Sequence, residues 1–310
     1  MTHFAEQAAL LRSVSRSFYL SVRVLPAGMR EPVALGYLLA RASDTLADTV
    51  EAPTEVRVEA LRRFREMINL RASRDLPEGL TLRLPEERLL IARLPSLLSW
   101  LGEMAEQDRR DIVQVLEHIV QGQEQDLTRI GPVQTAVELD NYTFLVAGCV
   151  GEFWTQLGLR HVRKYTTMEA GPLIERAVRF GKGLQLVNIL RDLDADVESG
   201  RSYLPGDVET AFPIWHRAAM EHFEVAEEYL IAVQPWRLRY AALLPWVLGV
   251  RTLELLENRP QGGFRRKIKV RRSEVRSWLW RALPAACNDH ALGRLSEKLG
   301  FGLASRRKLN

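Results

Sequence analysis

An all-α fold is what this sequence predicts, and three observations predict it. Apolar residues recur at the helical period of about 3.6 over long stretches. Alternating β-branched runs closed by Asn-Gly or Asp-Gly turns are absent. Pro and Gly fall mostly between the periodic stretches, at Pro26, Pro53, Pro77, Gly131-Pro132, Gly171-Pro172, Pro205-Gly206 and Gly262-Gly263. The spacing predicts helices over roughly 4–14, 32–48, 54–72, 86–102, 107–128, 133–158, 168–196, 212–234, 236–257 and 271–283. No internal repeat, low-complexity tract or long polar linker divides them. One helical domain over 1–310 is therefore expected, with the basic tail at about 304–310 frayed.

The 310 residues are 46% hydrophobic and 26% charged, an ordinary globular composition able to bury a sizeable core. The formal charge of +4 suits an anionic small ligand or an acidic lipid surface. It is too diffuse for nucleic acid, and neither zinc-ligand spacing nor an RNA-binding signature accompanies it. Two cysteines, Cys149 and Cys287, in apolar or helical settings fit a reducing compartment without a disulfide framework. The first residues, MTHFAEQAALLRSVSRSF, lack the basic start and apolar run of a signal peptide. The most apolar stretch, Tyr240 to Val250, is about half the ~20 residues a membrane span needs. The expectation is a cytoplasmic protein, at most peripheral at the inner membrane face.

The first informative segment is EPVALGYLLARASDTLADT, from Glu31 to Thr49. Pro32 suits a first helical position. Leu35, Leu38, Leu39, Ala42 and Leu46 form one apolar stripe. Tyr37, Arg41, Asp44 and Asp48 fall opposite, within roughly 60° of one another. Two aspartates four apart repel unless something neutralises them. Magnesium shared with a substrate diphosphate would do so, and Arg41 and Tyr37 offer phosphate donors. Taken alone, the spacing is weak evidence, since it suits a solvated helix face better.

A similar arrangement recurs in GKGLQLVNILRDLDADVESGRSYLP, from Gly181 to Pro205. Gln185, Asn188, Asp192 and Asp196 share one face within about 80°, with Leu186, Val187, Leu190, Leu193 and Val197 on the other side. On a merely solvated face Lys and Glu are better helix formers than Gln and Asn. Asp194 and Glu198 add negative charge; Lys182, Arg191 and Arg201 supply counter-charges. Two such stripes facing each other across a bundle would hold divalent ions that neutralise a departing diphosphate.

Four blocks now stand in order: SRSFYLSVRVLP, YLLARASDTLAD, YTFLVAGCVGEFW, and LQLVNILRDLDAD followed by GRSYLP. In them the chain resembles the squalene/phytoene synthase family from about Ser13 to Arg276. The resemblance implies the all-α isoprenoid synthase bundle with a central cavity. It implies that Asp44, Asp48, Asp192 and Asp196 bind magnesium, and that Ser15, Arg16, Ser17 and Arg41 bind diphosphate. Tyr142, Gln185, Asn188 and Arg191 would line the cavity, with Tyr37 beside them; Tyr142, Arg41 and Tyr37 are the candidate catalytic residues. Ser15, Arg16 and Ser17 do carry hydroxyl and guanidinium donors suited to phosphate. A helix cap or surface turn is their other reading. Ala147, Gly148 and Gly151 would allow close helix packing or room for a prenyl tail.

The implied activity is head-to-head condensation of two prenyl diphosphates through a presqualene- or prephytoene-type cyclopropyl intermediate. The blocks lean toward bacterial squalene-type members, hence two farnesyl diphosphates and a C30 product. The alternative is phytoene synthesis from two geranylgeranyl diphosphates without NADPH. Use of NADPH stays open, since the absent GxGxxG fingerprint decides nothing where a family does not use one. The GGFRRKIKVRR segment, Gly262 to Arg272, suits an NADPH phosphate, membrane lipid or simply solvent.

Overall fold

The computed structural model describes residues 3–15, 18–49, 51–69, 75–198, 200–257 and 270–301. Every regular element among them is helical, with one isolated bridge between Thr166 and Val233. The chain divides into two compact units, Met1–Arg129 with Gln156–Val162, and Ile130–Thr155 with Arg163–Asn310.

The first unit contains α1 (His3–Ser15), α2 (Phe18–Arg23), α3 (Ala27–Ala47), α4 (Thr54–Ile68), α5 (Pro85–Ala92), α6 (Leu94–Glu103) and α7 (Glu106–Thr128). α3 is its centre, packing on α1, α4, α6 and α7. The predicted stripe is its core: Leu35, Leu38, Leu39, Ala42 and Leu46 are all fully buried. Each leucine contributes about 1.5–3 kcal/mol of transfer free energy. α3 starts earlier than the spacing suggested, after Pro26, so Pro32 lies within the helix instead of opening it. Pro32 lies in the second turn, where its missing N–H forgoes the bond that a residue there would give the Gly28 carbonyl. The predicted helix over 86–102 is broken at Arg93, where Pro95 takes an early position in α6 and cannot continue the ladder of α5. The returning segment is fixed on α7. Arg160 reaches Asp108 and Asp111, both at 2.6 Å, and His161 Nε2 lies 2.8 Å from Asp108 Oδ1. Asp108 is thus a buried carboxylate with its charge matched.

The second unit contains α8 (Ala136–Thr143), a π-helical turn over Phe144–Gly148, the first turns of α9 (Cys149–His161), α10 (Ala170–Glu198), α11 (Val208–Ala232), α12 (Trp236–Glu257), α13 (Arg272–Cys287) and α14 (Asp289–Lys298). Thr135 caps α8 by accepting from Glu138 N, and Glu138 Oε2 accepts from Gln134 N in return. The single helix predicted over 133–158 is therefore three pieces. Close backbone approach accompanies the π turn: a Cβ on Gly181 would lie 2.3 Å from the Ala147 carbonyl oxygen, and one on Gly151 2.1 Å from that of Ala177. Gly151 and Gly181 serve close packing. α11 lies along α10, its Phe223 filling the space left by Gly183 and Gly249 and accepting at its carbonyl from Trp246 Nε1. Thr155, Tyr165 and Tyr229 join their hydroxyls in a buried chain. α14 was not predicted; Asn288 caps it, and Leu292 and Leu295 bury its short apolar edge. Cys149 and Cys287 are free thiols. No described helix is long and apolar enough to cross a membrane.

Candidate active site

In the first unit, the C-terminal half of α3 carries Tyr37, Arg41 and Asp44, and Asp48 caps the helix by donating its N–H to the Asp44 carbonyl at 2.8 Å. Asp48 is exposed, while the Asp44 side chain keeps 44% of its exposure. Gln123 of α7 donates to Asp44 Oδ1 at 2.8 Å, and Arg41 lies 3.7 Å from Oδ2. Burial pushes the Asp44 carboxyl up to about 6, against Arg41, which lowers it; the Asp48 charge raises it further, and Gln123 lowers it. Tyr37 donates to the Val14 carbonyl at 3.4 Å, and burial holds its phenol above the ordinary range. Ser15 is buried, and its hydroxyl accepts from Tyr19 N at 3.1 Å, so the helix-cap reading fits it. Arg16 and Ser17 lie outside the described residues.

In the second unit, the last turns of α10 carry Gln185, Asn188, Arg191, Asp192 and Asp196. Asn188 Nδ2 donates to Gln185 Oε1 at 3.5 Å, which confirms that the two amides share a face. Arg191 turns onto its neighbour, with Nε 3.1 Å from Asp192 Oδ1 and a second contact from its terminal nitrogen to Oδ2. Arg191 therefore neutralises Asp192. Lys182 binds both oxygens of Asp140 at 2.8 Å. Past α10, Gly200 takes φ +78°, a left-handed turn suited to glycine, and Arg201 N donates to the Asp196 carbonyl at 2.8 Å. This turn returns the chain so that Tyr203 stacks on Tyr142, centroids 5.2 Å apart.

Both acidic faces share an electrostatic conflict. Asp44 and Asp48 end α3, and Asp192, Asp194, Asp196 and Glu198 end α10, where the helix dipole disfavours anions. A hard divalent cation held through oxygen would relieve it. No group of three or more His, Cys, Asp or Glu side chains among the described residues forms an all-protein metal site. The donor set instead fits magnesium, which is commonly held by one or two carboxylates together with substrate phosphates and water.

The raised Asp44 value gives a pH prediction. The folded chain keeps this proton up to about pH 6, whereas an ordinary aspartate releases it near 3.8. Its contribution to folding stability is thus present below 3.8 and lost as pH rises through about 6. Metal binding needs the ionised form. If Asp44 helps hold magnesium, magnesium-dependent binding of inorganic pyrophosphate is expected to weaken more steeply in the parent protein than in Asp44→Asn as pH falls through about 6, the comparison removing the protonation of pyrophosphate itself. Calorimetry on both proteins reads this, and an identical pH dependence in the two would contradict it.

Gln123 and Tyr203 were not singled out from sequence. Gln123 stands 79 residues from Asp44, and no local spacing joins them. Tyr203 lay inside the GRSYLP block and was available to notice.

An all-helical fold with an aspartate pair at the C-terminal end of one helix in each unit defines the class. The squalene/phytoene synthase family model matches residues 11–218, and the chain belongs to that family. It is 30% identical over 273 residues to presqualene diphosphate synthase of Zymomonas mobilis subsp. mobilis, covering 78% of this chain and 84% of that one. It is 27% identical over 290 residues to Botryococcus squalene synthase of Botryococcus braunii, covering 86% of this chain but 60% of that relative's length. A solved structure of TcSQS in complex with a ligand superposes with TM-score 0.78 at 23% identity, over 96% of this chain and 91% of that one. That likeness shows a shared fold.

Proposed function

We propose that this chain joins two farnesyl diphosphates head to head, through a presqualene diphosphate-type cyclopropyl intermediate, to a squalene-type C30 product. The observation that carries the reading is the recurrence of one pattern at two helix ends. Each is an aspartate pair four apart, sharing its face with donors suited to diphosphate. The Zymomonas relative, similar over most of its length, supports the intermediate.

Asp44, Asp48, Asp192 and Asp196 would hold magnesium, which supplies charge neutralisation for the leaving diphosphate. Arg41 and Arg191 bind and orient diphosphate oxygens, Arg191 exchanging its hold on Asp192 for the substrate. Arg16 and Ser17, with Ser15, remain candidates for the same task. Gln185 and Asn188 offer amide donors to the second substrate. In the first step the C–O bond of one allylic diphosphate breaks and pyrophosphate leaves with the electron pair. The double bond of the second substrate attacks the resulting cation, and a proton is lost as the cyclopropane closes. Tyr142, whose ring stacks on Tyr203, would stabilise the cation through its π face. Tyr37, whose phenol stays neutral, serves as a hydrogen-bond donor beside Arg41.

Incubation with magnesium and farnesyl or geranylgeranyl diphosphate, each with and without NADPH, tests the chain length and the ending. C30 products from farnesyl diphosphate support the proposal. Squalene that appears only with NADPH assigns the reductive ending. Phytoene from geranylgeranyl diphosphate, with no C30 product, overturns the farnesyl assignment.

A further inference from the structure

On α13 an unusual set of side chains faces away from the protein. Trp278, Ala282, Ala285 and Ala286 are buried. Arg272, Arg276, Trp280, Leu283 and Cys287 fall on the outward side, within roughly 80° on the helical wheel. Trp280 keeps 78% of its surface exposed, far from the high average burial of tryptophan. Leu279 and Leu283 flank it, both exposed. The one acidic residue of the helix, Glu274, lies off this face and is bound by Arg251 Nε at 2.8 Å. The outward face therefore carries cations at its N-terminal end, apolar bulk at its C-terminal end, and no carboxylate.

α12 extends the patch. Tyr240 donates to the Leu279 carbonyl at 2.9 Å and Arg251 meets Glu274, so α12 and α13 run antiparallel. That register brings Trp236, one turn before Tyr240, level with Leu283. Trp236 is 46% exposed, and the Arg237 guanidinium sits 5.3 Å from its ring centroid.

We propose that this face docks the protein on an anionic lipid bilayer. Exposed tryptophans beside arginines match the membrane interface, where an indole lies at headgroup depth and guanidinium groups meet phosphate. Charge complementarity selects this occupant over a second copy of the chain. A two-fold contact through the face would bring no carboxylate to Arg272 and Arg276, because the same face of a second copy has none. The docking stands without the catalytic reading; if that reading holds, an apolar product is made beside a hydrocarbon phase.

The test is co-sedimentation of the full chain with phosphatidylcholine vesicles, with and without phosphatidylglycerol. Binding is expected only to the anionic vesicles, and it should fall as salt is raised. Trp280→Ser with Leu283→Ser should weaken it by about ten-fold or more. Arg272→Ser and Arg276→Ser should weaken it by about five-fold each. All four side chains are exposed, so circular dichroism and melting should match the parent protein. Absent binding to anionic vesicles overturns the proposal, as does equal binding by every variant. A dimer converted to monomer by Trp280→Ser, with vesicle binding unchanged, assigns the face to a second copy and overturns it too.

Discussion

An Asp48→Ala protein is expected to fold normally and to lose product formation by roughly a hundred- to a thousand-fold. The two halves of this expectation rest on different physics. Asp48 is exposed and caps the C-terminus of α3, four residues from Asp44. An anion there opposes the helix dipole and repels its neighbour, a cost of a few tenths to about 1 kcal/mol that offsets what its other contacts contribute. The melting temperature should stay close to that of the parent protein. Turnover should collapse, because the carboxylate proposed to hold the metal against a departing diphosphate is gone. Asp192→Ala should behave alike, except that Arg191 loses its partner. A product assay and a thermal melt on the same preparation check both halves. Near-normal turnover would remove Asp48 from the metal site, and a large fall in melting temperature would mean its role is structural.

Gly151→Ala is expected to act in the opposite manner, through the fold. A Cβ at this position would stand 2.1 Å from the Ala177 carbonyl oxygen and 2.7 Å from its carbon. These are backbone atoms of α10, so no side chain can swing away; α9 and α10 must separate. Overpacking of this kind costs about 1–3 kcal/mol or more. For a chain of this size that is roughly 1.5–5 °C in melting temperature. The separation would also shift the π turn and Tyr142 relative to α10, so activity should fall with stability. Gly102→Ala is the control, since nothing lies within 4 Å of a Cβ there. In the last turn of α6 it should be neutral or stabilising by up to about 1 kcal/mol. Equal melting of the two variants would refute the close-packing account of Gly151.

Much of this was legible in the sequence, because it depends on local periodicity. The stripe from Leu35 to Leu46 is the core of α3, and the predicted helix over 168–196 differs from α10 by two residues at each end. The same wheel placed Tyr37, Arg41, Asp44 and Asp48 together, and the Asn188–Gln185 contact bears out the amide pair. What escaped depends on a neighbouring backbone or on distant chain. In YTFLVAG the apolar spacing reads as continuous helix, and the π turn appears only against the Gly181 approach of α10. Gln123 reaches Asp44 from α7, outside any local window. Pro95 could have been read as a break, since a helix seldom continues through proline. Arg191, expected as a counter-charge on this face, does lie on Asp192.

The central claim is that two prenyl diphosphates are joined to each other, and an isotopic crossover tests it most directly. Equal amounts of unlabelled and fully deuterated farnesyl diphosphate are mixed with the protein and magnesium, and the extracted products are weighed by mass spectrometry. Head-to-head joining predicts C30 species of light, mixed and heavy mass in the binomial ratio, absent when magnesium is chelated. Light and heavy C15 products alone, with no mixed species, would contradict it.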